Sequence, residues 1–162
     1  MIGLASQTAQ PRVSVIGRKR GTDVLRPVSP EHPDDETFEG LLIVRPEGRL
    51  FFVNVQYVVE QISALVAKHQ PHVLALDMSR TSDLEYSALQ MLSEYEQRAT
   101  ANGILIWIVD LNPAVLAVVR NSALHERLGR ERMLFDAREA IQRYQEKLAS
   151  TAPSMGSATG AI

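Results

Sequence analysis

The sequence feature that most constrains the fold is an alternation between short apolar runs and stretches of helical periodicity. The runs at 73–78 and 104–109 are compact and apolar, and the first contains Asp77 near its end. Such runs are typical of strands that are covered on their faces by other elements. Strands that alternate with helices predict a mainly parallel sheet, in which right-handed crossovers place the helices against the sheet.

Helical periodicity and capping residues predict four helices. The first follows Asn54, which is placed as a cap, and ends before Pro71. The second has its apolar face between 88 and 99, and the third begins at Asn112-Pro113, with proline at the first helical position. The fourth follows the short strand 133–135 and a capping pattern made by Asp136 and Glu139.

The first strands of the sheet are expected to be antiparallel. The β-prone runs 41–45 and 50–53 are separated by the turn-forming residues 46–49, which favours a hairpin. Before them, only 13–17 alternates well enough for a short strand. The predicted fold is therefore α/β, a mixed and mainly parallel sheet with an antiparallel edge hairpin and about four packed helices.

Composition divides the chain into three parts. Residues 1–39 hold four of the eight prolines and the acidic cluster 34–39, and we expect a polar connecting segment with one possible short strand. Residues 40–148 carry the periodic pattern of a single folded domain. Residues 149–162 are mostly alanine, serine, glycine and threonine without periodicity, and are predicted to be a disordered tail.

Several classes of function lack support in the sequence. There is no cysteine, which excludes thiolate metal sites and thiol catalysis. No glycine-rich phosphate loop and no serine nucleophile elbow is present, and His69 and His72 have no third ligand beside them. We therefore predict no enzyme activity, no metal and no cofactor.

The chain also lacks the features of a membrane span or a secretory signal. Its longest strongly apolar run, 104–109, has about six residues, whereas a membrane span needs roughly twenty. The first ten residues have no basic start followed by an apolar stretch, so a cytoplasmic location is expected.

Two basic stretches stand out against a net charge of -2. One is Arg18-Lys19-Arg20, and the other contains Arg120, Arg127, Arg130 and Arg132. The simplest interpretation is solvated surface charge. The alternative is contact with acidic lipid headgroups or a neighbouring protein. Aromatic residues are not interleaved with the charges, so no nucleic-acid partner is expected.

The most informative segment joins the strand 73–78 to the second helix. Ligands of open sheets gather at the carboxyl ends of parallel strands, and a helix start can receive an anion or a carboxylate of a partner. In the alternative interpretation, Ser82 and Glu85 form a capping box that already occupies the amides of the helix start. The candidate surface for a partner or an anion consists of Asp77, Ser79, Arg80, Thr81, Ser82, Asp83, Glu85, Tyr86 and Ser87.

This segment resembles the signature of STAS domains, the fold of sulphate transporters and anti-sigma factor antagonists. Residues 13–24, reading VSVIGRKRGTDV, resemble the connection that follows the last membrane helix in SulP-type anion transporters. The stretches 40–45 and 50–54 agree with the family, and so do 111–113 and 139–141. The resemblance covers residues 11–148 and rests on the occurrence of all these stretches in the order that the family has.

The resemblance implies a regulatory and interaction domain on the cytoplasmic side of the inner or plasma membrane, as part of a permease for sulphate or another small anion. The implied partners are the transmembrane domain of the same transporter, a second transporter subunit and a cytosolic protein. The connection-like amino end favours an excised fragment.

Two other functions remain open. A freestanding antagonist would carry a phosphoacceptor serine at the helix start, where the resemblance instead aligns Tyr86, preceded by Glu85 and followed by Ser87 and Ala88. A phosphate there would add about -1.5 to -2 charges beside Asp83 and Glu85, which favours disruption of docking. A small nucleotide-binding regulatory domain is the third possibility, and it rests only on the helix start.

Overall fold

The computed structural model describes residues 10–152, which form one six-stranded sheet in the order β2-β1-β3-β4-β5-β6. The strands are β1 (Val13–Arg18), β2 (Leu25–Pro27), β3 (Leu41–Pro46), β4 (Val73–Asp77), β5 (Leu105–Val109) and β6 (Met133–Leu134). Strands β3 to β6 are parallel, whereas β1 pairs antiparallel with both β2 and β3. The predicted mixed, mainly parallel sheet is confirmed.

The antiparallel edge hairpin exists, but different residues form it. We predicted 41–45 with 50–53, whereas β1 and β2 form the hairpin and 50–53 is not a strand of the sheet. Both sides of β3 are already occupied, because Val44 lies opposite Val15 on β1 and beside Leu76 on β4. The chain after Pro46 instead runs along the loop that follows β4.

The described residues contain five α-helices, where about four were expected. They are α1 (Val55–His69), α2 (Tyr86–Ala101), α3 (Pro113–Arg120), α4 (Ala123–Leu128) and α5 (Ala137–Thr151), with a 3-10 turn at Arg130–Arg132. The additional helix is α4, which begins after Ser122 because the Ser122 side chain accepts a hydrogen bond from the amide of His125 at 3.3 Å.

The predicted caps at Asn112 and Asp136 are confirmed, whereas the predicted cap at Asn54 is wrong. The Asn112 side chain accepts from the Val115 amide at 2.9 Å, and Asp136 accepts from the Glu139 amide at 2.8 Å. Asn54 precedes α1 but makes no cap bond to the helix. It stabilises the preceding turn instead, accepting from the amide of Phe51 and donating to the carbonyl of Arg49.

The core lies in two layers, one on each face of the sheet. Helices α1 to α4 cover the face that carries Leu42, Leu74 and Ile106. Helix α5 covers the other face, which carries Ile43 and Trp107. The central strands are therefore buried on both faces, and the loops at their carboxyl ends are left to form accessible surface.

Helix α5 continues to residue 151, so 149–151 are helical and not part of a disordered tail. The rest of the predicted tail, 153–162, lies outside the described residues. Within the part of the chain that the structure describes, no helix is long and apolar enough to cross a membrane.

Candidate functional site

The candidate site begins at Asp77, the last residue of β4, whose carboxylate is buried at 1% exposure. Its Oδ2 accepts from the Arg45 guanidinium on β3, at 2.9 Å from Nε and 2.8 Å from the second nitrogen. Its Oδ1 accepts from the amide of Ser79 at 3.0 Å. The buried Asp77 side chain therefore fixes the first turn of the loop that follows β4.

The loop between β4 and α2 is held along its length by residues 46–50. The amide of Gly48 donates to the carbonyl of Arg80 at 2.8 Å, and the amide of Leu50 donates to that of Asp83 at 3.0 Å. The amide of Glu85 in turn donates to the carbonyl of Leu50 at 2.9 Å. Because backbone groups bond on both sides, the loop is a defined surface and not a free connection.

The start of α3 holds the other side of the loop. The same Asn112 that caps α3 donates from Nδ2 to the carbonyl of Thr81 at 2.8 Å. The Thr81 side chain is buried at 1% exposure and donates to the carbonyl of Pro46 at 3.5 Å. Three segments therefore meet at Thr81: the end of β3, the loop and the first turn of α3.

The predicted capping box of Ser82 and Glu85 is wrong. Helix α2 begins at Tyr86 with Glu85 as its cap residue, and no side chain caps the first turn. The Glu85 carboxylate turns to Arg49, which lies 2.6 Å from it and 3.3 Å from the carboxylate of Asp83. Arg49 neutralises both acids because the turn after β3 lies beside the loop, a tertiary contact that local spacing does not reveal.

The nine predicted site residues divide into a buried pair and an accessible set. Asp77 and Thr81 are buried, so they support the loop and do not themselves reach a partner. Asp83 and Glu85 are half-buried, and the remaining five are exposed: Ser79, Arg80, Ser82, Tyr86 and Ser87. The loop is thus accessible on both sides of the buried Thr81 and Leu84, and its role in binding stays a prediction.

The sequence predicts Tyr86 as part of this surface but not a second exposed aromatic side chain, Phe52. Leu50 and Leu84 form a parallel bridge, and two residues beyond each of them lies an exposed aromatic side chain, Phe52 at 71% and Tyr86 at 68% exposure. The Tyr86 hydroxyl accepts from the side-chain amide nitrogen Nε2 of Gln90 at 3.0 Å, which orients the ring along α2. The sequence predicts a strand over 50–53, whereas the structure has a turn that follows Leu50 and exposes Phe52.

Carboxyl groups lie close together at the adjacent strand ends. Asp77, Asp110 and Asp136 line one shallow pocket with Arg45 and Arg138. Burial of its carboxyl group, together with the charges of Asp77 and Asp136, raises the pKa of Asp110, and Arg45 acts in the opposite direction. Among residues 10–152, no group of three histidine or acidic side chains is arranged to hold a metal ion.

The fold and this loop define the class of protein: a mixed α/β domain that presents an ordered loop at the carboxyl ends of parallel strands. Residues 32–141 match the family model of the STAS domain. The match covers more than half of the chain, which therefore belongs to the STAS domain family. The resemblance that the sequence indicated is confirmed.

The relatives found by sequence are sulfate transporters. The chain is 25% identical over 147 residues to the probable sulfate transporter 4.2 of Arabidopsis thaliana. This match covers 84% of this chain and 22% of that transporter. It is 24% identical over 154 residues to the high affinity sulfate transporter 2 of Stylosanthes hamata, covering 89% and 23%. The chain thus spans less than a quarter of the length of these relatives.

Solved structures share the fold. The murine Slc26a9 anion transporter in the inward-facing state matches with a TM-score of 0.76 and 20% identity, over 90% of this chain and 24% of that chain. The STAS domain of a SulP transporter from Vibrio cholerae matches with a TM-score of 0.62 and 18% identity, over 74% and 92%.

Proposed function

We propose that the chain is a cytoplasmic regulatory and interaction domain of a SulP-type transporter for sulfate or another small anion. The observation that carries the proposal is the ordered, exposed loop between β4 and α2 on a domain whose relatives are sulfate transporters. The partners we assign to it are the membrane part of the same transporter, a second subunit and a cytosolic protein.

The composition of the loop surface supports contact with another protein. Tyrosine is among the residues that contribute most to protein interfaces, because its ring buries a large area at a low entropic cost. Tyr86 and Phe52 supply aromatic area, while Arg49, Asp83 and Glu85 form a polar group beside them. An aromatic centre with a polar rim is the usual arrangement of such interfaces.

We assign the loop a role in contact and not in catalysis. The carboxylates of Asp83 and Glu85 are both engaged by Arg49, and Asp77 is engaged by Arg45. A phosphate on Tyr86 or Ser87 would add negative charge beside the two acids and weaken docking. A freestanding antagonist role is less well supported, because Tyr86 stands where the family resemblance places the acceptor serine.

The experiment measures the affinity of the domain for the detergent-solubilised membrane part of its transporter. We expect the double variant Phe52→Ala/Tyr86→Ala to weaken binding by about tenfold or more, since exposed aromatic anchors dominate interfaces. Glu85→Lys should also weaken docking. It breaks an exposed ion pair with Arg49, so its effect on stability should stay below about 1 kcal/mol.

The matched control is Leu148→Ala, which removes an exposed apolar side chain from α5, on the other face of the sheet. It should leave the affinity unchanged. Equal affinities for the wild type and the loop variants, with circular dichroism showing that all are folded, would remove this loop as the docking surface. Anion uptake by the whole transporter carrying the same variants then tests whether docking regulates transport.

A further inference from the structure

A second surface lies near the β6 edge of the sheet and shares no residue with the candidate site. It is an open groove of about 710 Å³ lined by Leu116, Arg120, His125, Arg130 and Met133. These residues come from α3, α4, the 3-10 turn and the first residue of β6. No acidic side chain is among the residues that line the groove.

The structure divides the four arginines of this stretch into two pairs with different roles. Arg127 and Arg132 pair with Glu96 of α2 at 2.7 Å and 3.4 Å, and Glu96 is buried at 2% exposure. Arg120 and Arg130 are exposed and make no ion pair with any residue in the range 10–152. The first pair fixes α4 and the 3-10 turn on α2, and the second pair is left at the groove.

The other basic stretch, Arg18-Lys19-Arg20, lies beside acidic residues. Arg18 pairs with Glu36 at 3.0 Å, and the neighbouring Arg26 pairs with Asp35 at 2.7 Å. The pocket beside Lys19 and Arg20 is also lined by acidic residues, Glu31, Asp34 and Asp35. Its positive charge is therefore locally compensated, whereas that of the groove is not.

We propose that the groove binds an acidic peptide segment of a partner protein. Carboxylates of such a segment would accept hydrogen bonds from the guanidinium groups of Arg120 and Arg130, as arginine clusters do in the recognition of acidic motifs. Leu116 and Met133 would contact an apolar side chain between the acids. Methionine suits this role because its flexible, polarizable side chain adapts to its partner.

The shape of the groove favours a peptide over a membrane surface. Arg120 and Arg130 line a concave space together with apolar side chains, and an extended segment can enter it. A flat layer of lipid headgroups would not fill this space. Glu126 and Glu131 lie in the same stretch of chain but not in the lining, and they would disfavour close approach of a uniformly anionic surface.

The test is a titration of the isotopically labelled chain with a short peptide of glutamates around a central leucine, followed by amide chemical shifts. We expect shifts concentrated in residues 116–133 and an affinity that falls as salt is added. The variant Arg120→Glu/Arg130→Glu should weaken binding by about tenfold or more. Should that variant fail to fold, Arg120→Gln/Arg130→Gln neutralises the two charges without reversing them. It should also lower the affinity for the peptide.

The matched control is Lys19→Glu/Arg20→Glu, which makes the same change in net charge near the opposite edge of the sheet. It should leave peptide binding unchanged. No shifts at millimolar peptide, equal loss in both charge-reversed variants, or equal binding of a peptide with glutamines in place of glutamates would overturn the proposal.

Two further arms identify the partner class and separate the two surfaces. Binding to phosphatidylserine vesicles should not change when Arg120 and Arg130 are replaced. Vesicle binding that depends on these two arginines, without peptide binding, would overturn the proposal. The Phe52→Ala/Tyr86→Ala variant should bind the peptide normally. The groove can therefore fail this test without affecting the proposed docking loop, and the loop can fail without affecting the groove.

Discussion

At the scale of single residues, three aspartates at neighbouring strand ends have different environments. Asp77 is buried and paired with Arg45, and Asp136 caps α5 through the amide of Glu139. Asp110 has neither kind of partner among residues 10–152, and its backbone lies in the left-handed region with φ 58°. The structure therefore places an unfavourable charge at Asp110, where two other carboxylates lie near it.

The consequence is a pH-dependent cost in stability. Asp110 as a whole is exposed, but partial burial of its carboxyl group, and then the charges of Asp77 and Asp136, raise its pKa above the ordinary value of 3.8. The folded state then holds this proton more tightly than the unfolded chain does, so the contribution of Asp110 to stability falls as pH rises from 3.8 through the raised pKa. We expect Asp110→Asn to be more stable than the wild type at pH 7, and to lose this advantage in acid.

The measurement is urea unfolding at several pH values, followed by the fluorescence of Trp107, which is the only tryptophan and is buried on β5. Asparagine also tolerates a left-handed backbone, so the substitution adds no strain. The control Asp34→Asn removes one negative charge at an exposed position away from Asp77, Asp110 and Asp136. A variant whose unfolding midpoint at pH 7 does not exceed that of the wild type would contradict the argument.

At the scale of secondary structure elements, local signals predicted most of the elements whose structure is decided within one segment. The buried runs gave β4 and β5, the periodicity gave α1 and α2, and the caps at Asn112 and Asp136 gave the starts of α3 and α5. The predicted hairpin and the capping box failed because a distant segment determines each structure. The order of pairing around β3 and the reach of Arg49 to Glu85 both depend on the assembled sheet.

The candidate site was predictable to the same extent. The position of the loop followed from the end of β4, so its accessible residues were found from the sequence. Its aromatic neighbour Phe52 and its acid-binding Arg49 were not found, because both come from the turn after β3, which was assigned to a hairpin.

The element that connects this loop to the helical layer is the first turn of α3. Asn112 stabilises two structures at once, the helix start through Val115 and the loop through Thr81. We expect Asn112→Ala to lower the free energy of unfolding by about 0.5–2 kcal/mol, the usual range for the loss of a cap. The amides of residues 79–83 should also exchange faster with deuterium, because the loop loses one of its anchors.

Asn121, at the carboxyl end of the same helix, provides the control. Its exposed side chain lies 3.5 Å from the carbonyl of Ala117, and we expect Asn121→Ala to change the free energy of unfolding by no more than about 0.5 kcal/mol. If Asn112→Ala and Asn121→Ala behaved alike, the coupling between the loop and α3 would not exist in solution.

At the scale of the whole molecule, the two faces of the sheet are covered very unequally. Four helices share one face, whereas α5 alone covers the other. The helix is also tied to the amino end of β3, because the Tyr144 hydroxyl donates to the carbonyl of Glu39 at 3.0 Å. Gly40 leaves room for that ring, since a Cβ there would lie 2.0 Å from the hydroxyl oxygen and the backbone has φ 82°.

The unequal cover makes α5 indispensable to the fold. Without it, the apolar side chains of Leu41, Ile43 and Trp107 would face water, and each such side chain is worth roughly 1.5–3 kcal/mol when fully buried. The summed loss for several such side chains is comparable to the margin of about 5–15 kcal/mol by which domains are stable. We therefore expect a chain that ends at residue 136 to show no cooperative urea transition and to aggregate, while a chain that ends at residue 152 keeps the unfolding midpoint of the full sequence.

A cooperative transition in the shorter chain would mean that the sheet and its layer of four helices fold without α5. The pair of truncations distinguishes these outcomes because both lack residues 153–162, and only one lacks the helix.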